Sequence, residues 1–114
     1  MTTLYGIPNC DTVKKSRAWF DEHHHPYTFH DFKKQGVPEQ ELSAWIAALG
    51  WEALLNTKGT TWRKLDAATQ ASVIDAPSAQ ALMLDHPSII KRPVVALVGQ
   101  AARITVGYVP QDWA

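Results

Sequence analysis

The sequence predicts one α/β domain over residues 1–114: a mixed four-stranded sheet with a helical insertion at about residues 37–88. Three observations predict it. The chain opens strand–helix–strand within its first 32 residues, and it closes on two apolar segments that read as a β-hairpin. Between them lie about fifty residues of short amphipathic helices. At 114 residues the chain fits one domain and buries about two thirds of its unfolded surface, enough for a core without staples.

Thr3 to Gly6 reads as the first strand, and Ile7-Pro8-Asn9 as the turn that ends it. Asp11 to His24 reads as a helix with Val13, Ser16 and Phe20 on one face and Lys14, Lys15 and Arg17 largely off it. Pro26 stops that helix. Tyr27 to Phe32 alternates with a period of two, a second strand; a crossover of this kind is nearly always right-handed and makes a parallel pair. Gly36-Val37-Pro38-Glu39 opens the next helix, with proline in the first turn and acids near its positive end. Leu42, Trp45, Ile46 and Leu49 form its apolar stripe, and Gly50 ends it. From Trp51 to His86, short helices are punctuated by Gly59, Pro77 and Pro87, with one apolar patch at Leu65, Ala68, Val73 and Ile74 and another at Ala79, Leu82 and Met83. Pro93 to Gly99 reads as a buried strand and Arg103 to Gly107 as its hairpin partner. This order matches a thioredoxin-like sheet.

Eleven basic residues balance eleven acidic ones, so no global field draws the chain to nucleic acid or to an anionic membrane, and any anion site is local. No apolar run approaches a membrane span, and the first residues read as a strand and not as a leader. One cysteine cannot form an intramolecular disulfide, which points to a reducing cytoplasm. Balanced charge and an ordinary core make a monomer the expectation. The five tryptophans read as core packing: Trp45 lies in a core stripe and Trp19 beside one. His23, His24 and His25 read as the end of a helix and not as a metal site, because adjacent helical residues point about 100° apart.

Cys10 stands where the first strand gives way to the first helix. There it meets free backbone N–H groups and the positive end of the helix dipole, with Lys14 one turn away and Lys15 and Arg17 close behind. All of these favour thiolate over thiol, whereas a free thiol is only about 3% ionised at pH 7. Lowering a thiol's pKa adds little to its attack, since nucleophilicity falls with basicity at a slope of about 0.45; it helps more when the sulfur leaves. Such a sulfur suits repeated loading and unloading. Residue 13, where a thioredoxin carries its second thiol, is Val13, so Cys10 cannot resolve its own adduct. Resolution falls to glutathione as co-substrate or to a glutaredoxin, and the chemistry needs no bound cofactor.

The run Tyr5-Gly6-Ile7-Pro8-Asn9-Cys10-Asp11-Thr12-Val13-Lys14-Lys15-Ser16-Arg17, with Ile90-Lys91-Arg92-Pro93-Val94-Val95 and Val106-Gly107-Tyr108, resembles the ArsC/Spx family over essentially the whole chain. Leu55-Asn56-Thr57-Lys58-Gly59-Thr60-Thr61-Trp62-Arg63-Lys64-Leu65 further resembles its YffB branch, described as glutathione-dependent thiol reductases. The resemblance implies a thioredoxin-like fold, Cys10 as nucleophile, Arg92 as an oxyanion-binding arginine and Pro93 as the cis-proline opposite the thiol. It implies a thiol–disulfide oxidoreductase, with arsenate reduction and Spx-like binding of RNA polymerase as the alternatives. Two departures weigh against arsenate: Asn56 stands where arsenate reductases have an arginine, and no arginine completes the set near Val106-Gly107. Fewer arginines mean a weaker clamp on an arsenate ester. The Cys-x-x-Cys switch of Spx regulators cannot form with Val13 in the second place. Lys14 is expected beside the thiol, Arg17 as either a solvated charge or a partner for glutathione carboxylates, and Asn9 as support for the loop. Asn56 and Arg63 are candidates either for the site or for the insertion's own structure.

Overall fold

The computed structural model describes residues 2–98 and 103–114. In chain order its elements are β1 (Thr2–Gly6), α1 (Asp11–Glu22), β2 (Tyr27–Asp31) and α2 (Phe32–Gln35). There follow α3 (Glu39–Leu49), α4 (Trp51–Leu54), α5 (Thr60–Lys64), α6 (Ala67–Ala71) and α7 (Ala76–Asp85), then a 3₁₀ turn at Pro87–Ile89. The chain closes with β3 (Val94–Leu97), β4 (Arg103–Val106) and α8 (Pro110–Trp113). Two compact units result: residues 1–36 with 92–114, and residues 37–91. The strand end expected at Gly99 and the turn after it lie outside the described residues.

The first unit is a four-stranded mixed sheet, order β2-β1-β3-β4, of the thioredoxin-like class. β1 runs parallel to β2, with Thr2 opposite Tyr27 and Gly6 opposite Asp31. β3 lies antiparallel on the other side of β1, pairing Tyr5 with Val94 and Leu4 with Val95, and β4 is antiparallel to β3. This arrangement positions the site. Because β3 enters the sheet beside the end from which β1 leaves it, residues 92 and 93 are carried to the turn that holds Cys10.

Alternation in β1 buries Thr2, Leu4 and Gly6 on one face. Val13, Ser16 and Phe20 are the buried face of α1, as their spacing predicts. Leu4, Val13, Phe20, Val95, Leu97 and Trp113 form one cluster, with Cys10, Trp19, Tyr27, Phe29 and Tyr108 packed at its margin. Buried Ser16 bonds back to the Thr12 carbonyl at 2.7 Å, so its hydroxyl is satisfied inside the helix.

α1 ends two residues before the expected His24. His24 takes a left-handed φ of 53°, its N–H donates to the Asp21 carbonyl (3.2 Å), and the His25 N–H reaches back to the Phe20 carbonyl (2.9 Å). These are the paired backbone bonds of a Schellman cap, completed by the His25 ring edge-on to Phe20 at 4.8 Å. His23 adds a ring-nitrogen bond to the Trp19 carbonyl at 2.8 Å and stacks on the Trp19 ring. The three histidines therefore terminate a helix.

Phe32, read as the end of a strand, instead opens α2. The Asp31 side chain caps it by accepting from the Lys33 N–H (2.9 Å), while Gln35 accepts from the Asp31 N–H (3.1 Å).

In the second unit, Leu42, Trp45 and Ile46 are the buried stripe of α3, and Gly50 ends the helix at φ 85°. Ala79 and Met83 are buried on α7, whose Asp75–Ser78 capping box fixes its start. Gln80 donates to Ser43 at 2.8 Å, tying α7 to α3. The patch expected at Leu65, Ala68, Val73 and Ile74 is not core: Ala68 is exposed and Ile74 is 76% exposed. α6 has only five residues, too few to carry a buried stripe, and Ile74 falls in the turn beyond it.

Candidate functional site: the Cys10 thiol

β1 delivers the chain to a short turn in which Asn9 is exposed and Cys10 takes an extended conformation (φ −99°, ψ 127°) as the N-cap of α1. The first backbone bond of α1 runs from the Lys14 N–H to the Cys10 carbonyl at 2.9 Å, so the N–H groups before it have no acceptor in the helix. Cys10 is half-buried: it packs against the cluster that holds Leu4, Val13 and Phe20 and is not sealed off from solvent.

Burial alone pushes the Cys10 thiol up. The backbone N–H of Val13, the Arg92 guanidinium through a hydrogen bond and through its charge, and the N–H of Thr12 together outweigh burial, leaving the thiol below its ordinary range. The sulfur closes no cap hydrogen bond of strict geometry with the helix. The pull of Val13 and Thr12 is therefore that of N–H dipoles aimed at an anion, weaker than full hydrogen bonds.

Three of the residues expected at the site lie together: Cys10, Arg92 and Pro93. The Arg92–Pro93 bond is cis, as the family resemblance implied. Pro93 is buried, and its carbonyl accepts from the Gly107 N–H at 2.9 Å, which fixes the turn after β4 beside it.

The other expected residues are placed differently. Lys14 is exposed, and the groups that lower the thiol do not include it: the cation acting on Cys10 is Arg92. Arg92 approaches from the segment that leads into β3. Arg17 turns towards β2, its Nε donating to the Tyr27 hydroxyl (3.1 Å) and its guanidinium lying 4.2 Å over the Phe29 ring. Lys15 sits 4.3 Å over the ring of Tyr108, a pairing the sequence did not announce. Asn56 and Arg63 belong to the second unit, where their side chains build a loop. Asn56 Oδ1 accepts from the Lys58 N–H (3.1 Å), Arg63 Nη2 donates to the Lys58 carbonyl (2.7 Å), and a side chain at Gly59 would meet Asn56 Nδ2 at 2.9 Å. Arg103, the other arginine near Val106, is exposed and bonds to the Asp112 carbonyl.

Sequence reasoning missed the individual roles of Thr12 and Val13, because they act through backbone N–H groups that their side chains do not reveal. The usable signal was position: second and third after a cap. An open groove of about 460 Å³ lined by Phe20, Asp21, His24, His25, Pro26 and Tyr27 lies at the far end of α1, about 18 Å along a 12-residue helix from Cys10, and is separate from the thiol site. Among the described residues no helix is long and apolar enough to cross a membrane.

The ArsC family model matches residues 5–114. A Haemophilus influenzae protein of unassigned function is 38% identical over 101 residues, 89% of this chain and 88% of that one. Among solved structures, the YffB protein superposes with a TM-score of 0.91 at 48% identity, covering 99% of this chain and 96% of its own. An arsenate reductase (ArsC) related protein from Brucella melitensis superposes at 0.73 with 45% identity, covering 98% of this chain and 90% of its own. More distantly, the global transcriptional regulator Spx of Staphylococcus saprophyticus is 26% identical over 95% of this chain and 80% of that protein.

Proposed function

We propose that this chain, which belongs to the ArsC family and within it to the YffB-like branch, is a glutathione-dependent thiol–disulfide oxidoreductase with Cys10 as its single nucleophile. The observation that carries the reading is the setting of Cys10: a lone, half-buried sulfur held towards the anion by the first turn of α1 and by Arg92. In the forward step the Cys10 thiolate attacks a mixed disulfide between glutathione and a substrate thiol. A sulfur–sulfur bond forms between Cys10 and glutathione, the substrate sulfur leaves as a thiolate, and that thiolate then takes a proton from water. In the second step the thiolate of a glutathione, or that of a glutaredoxin, attacks the glutathione sulfur of the adduct. Oxidised glutathione, or glutaredoxin carrying the glutathione as a mixed disulfide, is released and Cys10 returns as thiolate.

Arg92 stabilises the negative charge on Cys10 before attack and again as it leaves. The same guanidinium is a ready partner for an anionic group on the incoming substrate. Val13 in place of a second thiol makes the external reductant obligatory. The protein works as a monomer in the reducing cytoplasm.

Incubation with oxidised glutathione and intact-mass measurement tests this reading. One glutathione on Cys10 is expected, together with turnover of hydroxyethyl disulfide that exceeds turnover of arsenate when glutathione and glutaredoxin are supplied. Faster arsenate turnover makes the chain an arsenate reductase. A thiol of ordinary pKa that takes up no glutathione makes it a binding protein of the Spx kind.

Arg92→Ala is expected to raise the midpoint of Cys10 alkylation with pH. Below that midpoint the thiolate fraction falls about tenfold for each unit by which it rises, but the more basic sulfur is about threefold more nucleophilic, so alkylation slows about threefold per unit while the rate at high pH is not lowered. Arg92→Lys should recover part of the loss, since it keeps the charge without the planar fork. An Arg92→Ala profile that overlies the wild type removes Arg92 from the thiolate's environment.

A further inference from the structure

Gly6 ends β1 in regular register opposite Asp31 and is buried. Among the described residues the glycines with a left-handed φ are Gly36, Gly50 and Gly107, and Gly6 is not one of them, so its backbone does not require glycine. Its surroundings do. A Cβ built on Gly6 would stand 2.8 Å from Val13 Cγ2 and 3.6 Å from Cγ1. Val13 is fully buried in the core cluster and β-branched, so its methyl groups have little room to turn aside, and the clash falls on the packing of the first turn of α1 against the end of β1.

Val13 is the third residue after the Cys10 cap, and its N–H is one of the groups without an acceptor in the helix. We propose that Gly6 is a positioning residue for the Cys10 thiolate: its missing side chain lets Val13 seat against the end of β1, and this close seating sets the first-turn N–H groups at their working distance from the sulfur. The inference rests on reading Cys10 as a thiolate nucleophile and adds the residue that fixes its electrostatic surroundings from beneath.

The test compares Gly6→Ala, Val13→Ala and the double variant of the full chain. Each is checked for fold by circular dichroism and then titrated by the pH dependence of Cys10 alkylation with iodoacetamide. Gly6→Ala is expected to raise the midpoint of alkylation and to slow it at pH 6 by about threefold per unit, because the thiolate fraction falls about tenfold per unit while the more basic sulfur becomes about threefold more nucleophilic, so that the high-pH rate is not lowered. Gly6→Ala/Val13→Ala, which removes the methyl groups that would clash, is expected to return to the profile of Val13→Ala alone. A Gly6→Ala profile that overlies the wild type overturns the proposal, as does a double variant that keeps the defect. Should Gly6→Ala not fold by itself, the double variant decides: a folded chain with the Val13→Ala profile upholds the proposal, and a shifted profile or an unfolded chain overturns it. No disulfide substrate enters the titration. A wild-type chain with a low thiol midpoint and no turnover would therefore remove the proposed function and leave this inference standing.

Discussion

Cys10→Ser is expected to reduce disulfide turnover to the uncatalysed rate and to abolish the glutathione adduct. The loss is complete in principle, because the reaction passes through a sulfur–sulfur bond that a hydroxyl cannot make, and no second cysteine stands in for the first. The same substitution has a second consequence in stability. The folded thiol ionises below its ordinary range, whereas an unfolded thiol ionises near about pH 8.5. Between the two midpoints the unfolded chain binds more protons, so stability rises with pH through that window. The contribution is fully present above the unfolded midpoint and is lost as pH falls through the folded one. Cys10→Ser should flatten this slope in urea midpoints measured across the window, while leaving the dependence on the carboxylates unchanged. Residual turnover in Cys10→Ser, or a slope that persists, would place the chemistry or the titration elsewhere.

What was legible in the sequence divides along physical lines. Val13, Ser16 and Phe20 on α1 and Leu42, Trp45 and Ile46 on α3 follow from the helical period, because a stripe over three turns has only one way to bury itself. Short elements escaped. α2 and α8 have four residues each, less than enough for a period to show, and they are held by specific bonds: the Asp31 side chain accepting from Lys33 and the Asp31 N–H donating to Gln35 in one, and the Trp113 indole donating to Thr105 at 2.8 Å in the other. The misplaced patch around Ile74 has the same origin, since apolar residues spread over turns and five-residue helices share no face.

The site divides similarly. Cys10 at a strand-to-helix junction is a local feature, and its electrostatic meaning follows from the helix end alone. Arg92 is 82 residues further along the chain and reaches Cys10 only because β3 pairs antiparallel with β1. No local pattern encodes that pairing, so the family resemblance supplied Arg92 where periodicity could not. Lys14 is the contrary case: a helical wheel brings it near Cys10 in projection, whereas the cation acting on the thiol is Arg92 and Lys14 is exposed. Gly6 was visible as a letter in a motif and silent about its purpose, which resides in the 2.8 Å space above it.

Phe20→Ala is expected to be among the most destabilising single changes in the first unit, by about 3–5 kcal/mol. Phe20 is fully buried, and its ring meets those of His25 (4.8 Å), Trp113 (5.0 Å), Trp19 (5.2 Å) and Tyr27 (5.3 Å). Truncation removes the ring from edge-to-face contacts with α1's own cap and with β2 and from a tilted contact with α8 at once, and the surrounding aromatics are too rigid to collapse into the space. Against a total stability of about 5–15 kcal/mol this is a large fraction, and at a slope of about 2 kcal/mol/M it lowers the urea midpoint by about 2 M. The thiol provides the control. Phe20 is ten residues from Cys10, near the opposite end of α1, and is not itself among the groups that lower the thiol. At low temperature, where the variant remains folded, its alkylation profile should match the wild type, while Phe20→Leu recovers most of the midpoint. A shifted thiol profile in folded Phe20→Ala would mean that the aromatic cluster holds the first turn of α1 as well as its last.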